Sequence, residues 1–383
     1  MAKLFDRENR IKIANIAIAM SFVLHTILLW NEYTWYETFV PYGTVFLFVF
    51  LVIAVFAYAD TPAALFRDKA LIVVATVAAV ALINIVLTGS GKGAWFTAVD
   101  VALVVYLADK IRFSKILVWF MLLYTGFYFF YWTFDVKGYF KGYNTNYGGL
   151  VLITGFVFAV TLLLTCHQRL KAASNPGYRF LVVFIPFCFV WAYNIIAWYR
   201  ARCALLGFVV FTVLMLVPAK VWKNRIFYTV ITLGVTLGAV IISVVYVWLG
   251  RYADVFDVRI FYKDIISGRD AIWSELWSAF LARPLTGIGS SYKLSVEWMG
   301  GMFEVHNGLL DILIVHGLIV FICICAMLVQ RLLALRTLTG NIVARSATAG
   351  VFAILAASFM ENFFIVPPFL TATLALIAIA RSV

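Results

Sequence analysis

IFYTVITLGVTLGAVIISVVYVWL, residues 226–249, carries no charge and gives way at Gly250-Arg251 to a polar interval that runs to Val305. A membrane-spanning helix needs roughly 20 apolar residues. This stretch has that length, and it lacks the strand-period alternation of a membrane barrel. Eleven further stretches read the same way: 11–30, 39–59, 70–88, 93–108, 113–134, 148–166, 178–198, 202–218, 306–330, 342–360 and 363–380. The chain is 64% hydrophobic and 13% charged, against about 25% charged in a soluble globular domain. The expectation is an all-α polytopic membrane protein of about 12 transmembrane helices. It would form a single membrane domain over 1–383, with one long loop, 250–305, between the ninth and tenth helices.

Basic residues orient it. If the N-terminus is cytoplasmic, 19 of the 30 lysines and arginines fall on the cytoplasmic side and 11 on the other, six of those in the long loop. Cytoplasmic loops carry the excess of Lys and Arg. Both termini are therefore expected in the cytoplasm, with 250–305 extracytoplasmic. The start, Met1 to Lys12, is polar and basic, and the apolar run after it is long enough to remain as an anchor. Much of the +12 net charge then serves topology and contact with anionic membrane lipid. Within the long loop, Asp254, Asp257, Asp264, Asp270, Glu275, Glu297 and Glu304 offset its six bases. That balance argues against a nucleic-acid partner. Five cysteines, Cys166, Cys188, Cys203, Cys323 and Cys325, lie in or beside apolar runs without metal-ligand spacing.

The loop contains a helix in its own right. Ser267-x-x-Asp270 resembles a capping-box start, and Ile272, Trp273, Leu276, Trp277, Phe280 and Leu281 then recur at helical spacing until Arg283-Pro284 ends the run. Trp273 and Trp277, one turn apart, suit either an amphipathic helix lying at the membrane interface or one packed on the bundle.

Chemistry concentrates in and beside this loop. Arg269 falls in the first turn of the helix, where free N–H groups, the helix dipole and a bidentate guanidinium make a phosphate site. Arg200 and Arg202 share a very tight turn on the side that basic residues avoid, and need a reason to be there. His306 opens an apolar run at the outer face and can accept a proton from a sugar hydroxyl. Glu304, Asp311 and Glu361 are carboxylates placed to orient it, and the sequence does not choose among them. Asp100 lies inside an apolar run, as a functional carboxylate or as a helix–helix hydrogen bond.

In order along 140–330 come Asn144-Thr145-Asn146-Tyr147-Gly148, Arg202-Cys203-Ala204-Leu205-Leu206, Gly268-Arg269-x-x-x-Trp273, Pro284-x-x-Gly287-x-Gly289, and His306-Asn307 followed after nine residues by Gly317. With twelve spans and a long loop between the ninth and tenth, this series resembles the bacterial O-antigen polymerase/ligase superfamily. The resemblance implies an integral-membrane glycosyltransferase of the bacterial cytoplasmic (inner) membrane, with its active site facing the periplasm or cell exterior. It implies an undecaprenyl-diphosphate-linked glycan donor and a glycan or lipid-glycan acceptor. It implies inverting transfer without metal or other cofactor, and work beside a chain-length regulator or assembly complex. By the same resemblance, Arg202 and Arg269 are diphosphate-binding and His306 is the general base. Arg283 and Lys293 are the two candidates for a further basic residue of the loop; Asn146 in the Asn-rich entry, and Arg200 by its place in the tight outer turn, are the further substrate-binding candidates. Val320 departs from the small or polar residue many ligases have there. This tilts the expectation toward a surface-polysaccharide polymerase, with an O-antigen ligase and a lipid-linked glycan transporter as alternatives.

Overall fold

The computed structural model describes residues 6–31, 33–134, 145–252, 259–261, 263–264, 266, 268–296 and 304–383. Ser267, Asn144 and the loop acids Asp254, Asp257 and Glu297 lie outside these. Each of the twelve apolar stretches forms a helix. In chain order these are α1 (Arg7–Asn31), α2 (Tyr33–Tyr58), α3 (Lys69–Thr88), α4 (Lys92–Leu107), α5 (Lys115–Phe134), α6 (Thr145–Ala172), α7 (Gly177–Tyr199), α8 (Arg202–Leu216) and α9 (Arg225–Gly250). After the loop helix α10 (Arg269–Ala282) come α11 (Gly308–Leu335), α12 (Ile342–Ala357) and α13 (Pro367–Ser382). Among the described residues, six helices are long and apolar enough to cross a membrane, and five shorter apolar ones accompany them. The long loop also holds a two-stranded ribbon, β1 (Arg259–Ile260) antiparallel to β2 (Lys263–Asp264).

The chain divides into two compact units. The first comprises Met1–Ile111, Leu233–Arg331 and Ser358–Thr371. Within it α1 pairs with α2, and α4 packs against α2 and α3. Asp68 starts α3 by accepting from the Ala70 N–H at 3.0 Å, and its other oxygen accepts from Tyr106 at 2.8 Å and Lys110 at 2.9 Å. One carboxylate thus caps a helix and ties it to the next. The second unit comprises Arg112–Thr232, Leu332–Ala357 and Ala372–Val383. Its centre is α6, apolar all round and buried against α5, α7, α8 and α12, as expected of a helix with no polar face. Lipid is as apolar as leucine, so helix association there rests on close packing and not on burial from water. Gly149 supplies that closeness: a Cβ on it would collide with Ala201 and Ala204.

Helix α11 is broken at Gly317 (φ 86°, ψ 174°). A break in apolar surroundings needs new partners for the backbone, and the 284–289 turn supplies them. Ile288 N–H donates to Ile314 O at 2.9 Å, Gly289 N–H to Val315 O at 3.1 Å, and Leu318 N–H to Pro284 O at 2.8 Å. Asn84 on α3 donates to both Thr286 O and Val315 O. Gly287 and Gly317 face each other so closely that a side chain on either would strike the other strand's backbone. The Pro284-x-x-Gly287-x-Gly289 and Gly317 motifs are therefore two halves of one contact. That contact fixes the end of α10 against α11, the helix that follows His306.

Candidate active site

Three segments of the first unit converge: the start of α10, the entry to α11, and the turn 358–366. Gly268 is the N-cap of α10, with no side-chain cap bond. The helix thus begins one residue later than a Ser267 cap would place it, and Asp270 in the first turn supplies the negative charge that this end favours. Ile272, Trp273, Leu276 and Phe280 are buried while Leu281 is exposed. The helix packs on the protein through a face that includes Trp273, and Trp273 is not at an interface. Its ring lies 5.2 Å from that of Tyr246, and its indole N–H donates to Val305 O at 2.7 Å. A buried indole needs such an acceptor.

The Gly268-Arg269-x-x-x-Trp273 spacing now has a physical meaning. Residues four apart share a helix face. Trp273 holds the residue before His306, while Arg269, one turn earlier, reaches the 358–366 turn. Its Nη2 donates to Met360 O at 2.8 Å and to Glu361 Oε1 at 2.9 Å. Arg269 is buried and paired with Glu361, not with Asp270. The other oxygen, Glu361 Oε2, lies 3.1 Å from His306 Nδ1, and Glu304 Oε1 lies 3.3 Å from the same nitrogen. Of the three candidate carboxylates, the buried Glu361 is the one that joins Arg269 and His306. Glu304 is about half exposed.

Backbone conformation presents His306. It adopts φ 54°, a left-handed geometry uncommon outside glycine and costing about 1–3 kcal/mol, which persists only where the surroundings over-determine it. They do so here. Asn307 caps α11 by accepting from Leu310 N–H at 3.1 Å, donates from its amide to Ala239 O at 2.8 Å, and through its own N–H donates to Asn362 Oδ1 at 2.8 Å. Gly308 N–H donates to Ser358 O at 3.0 Å. Burial pulls the His306 pKa down, but the hydrogen bond and charge of Glu361 and the charge of Glu304 outweigh both burial and the opposing Arg269. The result lies above the ordinary 6.5.

With Nδ1–H donating to Glu361, the neutral ring carries its lone pair on Nε2. Glu361 then sets the tautomer, and Arg269 holds Glu361. The connected set can supply a base, a carboxylate that orients it and a cation. Glu304, His306 and Glu361 also offer ligand atoms that all lie within 4.8 Å of one another.

The remaining candidates lie elsewhere. Arg283 is exposed at the C-cap of α10, about 20 Å along the helix axis from Arg269 at 1.5 Å per residue, and Lys293 is exposed beyond it. Arg200, Arg202 and Asn146 belong to the second unit. There the first turns of α6 and α8 meet, with the Cys203 thiol 3.8 Å from Asn146 O. Arg200 ends α7 with φ 55° and is exposed, while Arg202 is half-buried at the first position of α8. Asp100 is buried, and its carboxylate has no hydrogen-bond partner among the described residues. Among the described residues it makes no helix–helix hydrogen bond. The roles of Trp273, Asn307 and Asn362 went unread in the sequence. An indole at a fixed spacing from Arg269, and an acid-amide pair in the last turn between apolar helices, were the signals for them.

Trp273→Phe removes one donor and leaves Val305 O buried and unpaired. A loss of about 1–3 kcal/mol is expected, read as a lower unfolding midpoint in detergent. Activity should fall with it, because Val305 positions His306.

No curated protein and no solved structure matches the chain. Residues 180–325, which include Arg200, Arg202, Arg269, His306 and Gly317, match the family model described as O-antigen ligase. Over that stretch the chain is similar to the O-antigen polymerase/ligase superfamily, in agreement with the resemblance its motifs suggested.

Proposed function

We propose that the chain is an integral-membrane glycosyltransferase that moves a glycan from undecaprenyl diphosphate to a glycan hydroxyl, with inversion and without metal, at the outer face of the bacterial cytoplasmic membrane. The observation that carries this reading is the connected set Arg269–Glu361–His306. His306 Nε2 takes the proton of the acceptor hydroxyl as its oxygen attacks the anomeric carbon, and the bond from that carbon to the diphosphate breaks. The leaving diphosphate gains charge, and fixed donors aimed at developing charge stabilise it strongly in a site from which water is excluded. Arg269 has five N–H donors. The bonds to Met360 and Glu361 both use Nη2. Anchored this way, the guanidinium is pre-organised before the diphosphate arrives.

Arg202, Arg200 and Asn146 are proposed as further substrate-binding positions in their own unit, as is Arg283 at the far end of α10. A surface-polysaccharide polymerase is the first reading and a ligase the second, the latter favoured by the description of the matched family. Purified protein in nanodiscs, given an undecaprenyl-diphosphate-linked repeat unit and no metal, is expected to release undecaprenyl diphosphate. A ladder of lipid-linked products identifies a polymerase. Release only on adding a separate acceptor identifies a ligase. No release from a competent substrate, with Arg269-dependent binding intact, favours a transporter.

Arg269→Lys is expected to reduce turnover at least about tenfold. Lysine keeps the charge but loses the planar fork that meets carboxylate and phosphate together. Turnover equal to the parent protein would mean that charge alone suffices.

A further inference from the structure

The cluster of Glu304, His306 and Glu361 has a second capability that catalysis does not require. Its three donors are two carboxylate oxygens and an imidazole nitrogen, a set that suits zinc. Bonds of about 2.0–2.1 Å to a tetrahedral ion place neighbouring ligand atoms about 3.3 Å apart. The distances from His306 Nδ1 to Glu361 Oε2 and Glu304 Oε1 are 3.1 Å and 3.3 Å, so two edges of the tetrahedron are already set. The rest of the cluster falls within 4.8 Å, and the closure left is a rotation of the half-exposed Glu304 side chain. Glu361 is held from behind. Its Oε1 accepts from Arg269 while its Oε2 faces His306 Nδ1, the arrangement in which an outer partner orients a ligating carboxylate. Exposure of Glu304 gives an ion a way in.

From this geometry we infer that Glu304, His306 and Glu361 form a binding site for a single zinc-class transition-metal ion, whose occupancy withdraws His306 as a base. The inhibitory consequence rests on the proposed role of His306. A metal on Nδ1 displaces the Nδ1 proton, and the neutral ring then carries its remaining proton on Nε2. The nitrogen that would receive the acceptor proton no longer has a lone pair.

Chelator-stripped wild-type protein, dialysed against Zn2+ alone, is expected to bind one ion per chain by elemental analysis. Glu304→Gln should weaken that binding at least about tenfold, and it is a safe variant because its side chain is half exposed. His306→Gln should abolish it. Mg2+ in the same range, which prefers six oxygen ligands, should not compete. Binding that is absent, non-stoichiometric or unchanged in Glu304→Gln overturns the site. This arm decides the site whether or not transfer is detected, so failure of the transferase reading appears separately as inactivity of the metal-free protein. Where the metal-free protein is active, Zn2+ at the occupancy measured by dialysis should suppress transfer in wild type, and chelator should restore it. Full activity at full occupancy overturns the inhibitory role.

Discussion

His306→Ala is expected to lower transfer by about 10²–10⁴-fold, the usual contribution of a positioned base, while the protein still folds. Folding is expected to survive because Asn307, Gly308 and the 358–366 turn hold the backbone around position 306. Alanine in the left-handed region is strained there, so His306→Gly is the companion variant. Glycine tolerates that conformation and also lacks a base, and it should be as inactive as alanine. The pH dependence carries the sign of the argument. A base works in its neutral form, and Glu361 and Glu304 favour the charged form of His306. Activity should therefore rise with pH through an apparent pKa above 6.5. Glu304→Gln removes one negative charge, which lowers that pKa and moves the acidic limb to lower pH. A limb that stays in place in Glu304→Gln, or normal turnover in His306→Ala, would reject the assignment.

The twelve apolar helices were legible because bilayer thickness sets a length that composition reveals residue by residue. The single polar interval, with Arg269 and His306 in and beside it, was legible for the same reason: polar groups stand out in an apolar chain. What sequence leaves out is which distant segments meet. Glu304, Asp311 and Glu361 were equivalent on paper, and only the fold selects Glu361, 55 residues from His306. Trp273 suited a membrane interface and a packed face equally, since spacing gives a face but not what covers it. The broken helix was hidden for a related reason. Gly317 sits in a run apolar enough to read as one helix, and the backbone partners that allow the break come from 284–289 and Asn84. Hydrogen bonds made across sequence leave no periodicity.

Glu361→Ala should be the most damaging single change for stability as well as activity. Its side chain is 7% exposed and that of Arg269 10%. Removing the carboxylate leaves a buried guanidinium with one fewer partner and frees the imidazole it orients. Breaking a buried pair by deleting one partner costs about 3–5 kcal/mol, whereas replacing both with apolar residues is often near neutral. The double variant Arg269→Met/Glu361→Leu is therefore expected to be more stable than Glu361→Ala, although it is inactive. A double-mutant cycle by reversible denaturant titration in detergent measures this, and its coupling term should be well outside the roughly 0.3–0.5 kcal/mol scatter of independent sites. Glu361→Gln separates the two duties. The amide oxygen can still accept from Arg269, so folding should be largely kept. The negative charge that favours the charged ring is gone, so turnover should fall and its acidic limb should move to lower pH. If Glu361→Ala and the double variant were equally unstable, the carboxylate would be serving the backbone of the turn and not the arginine.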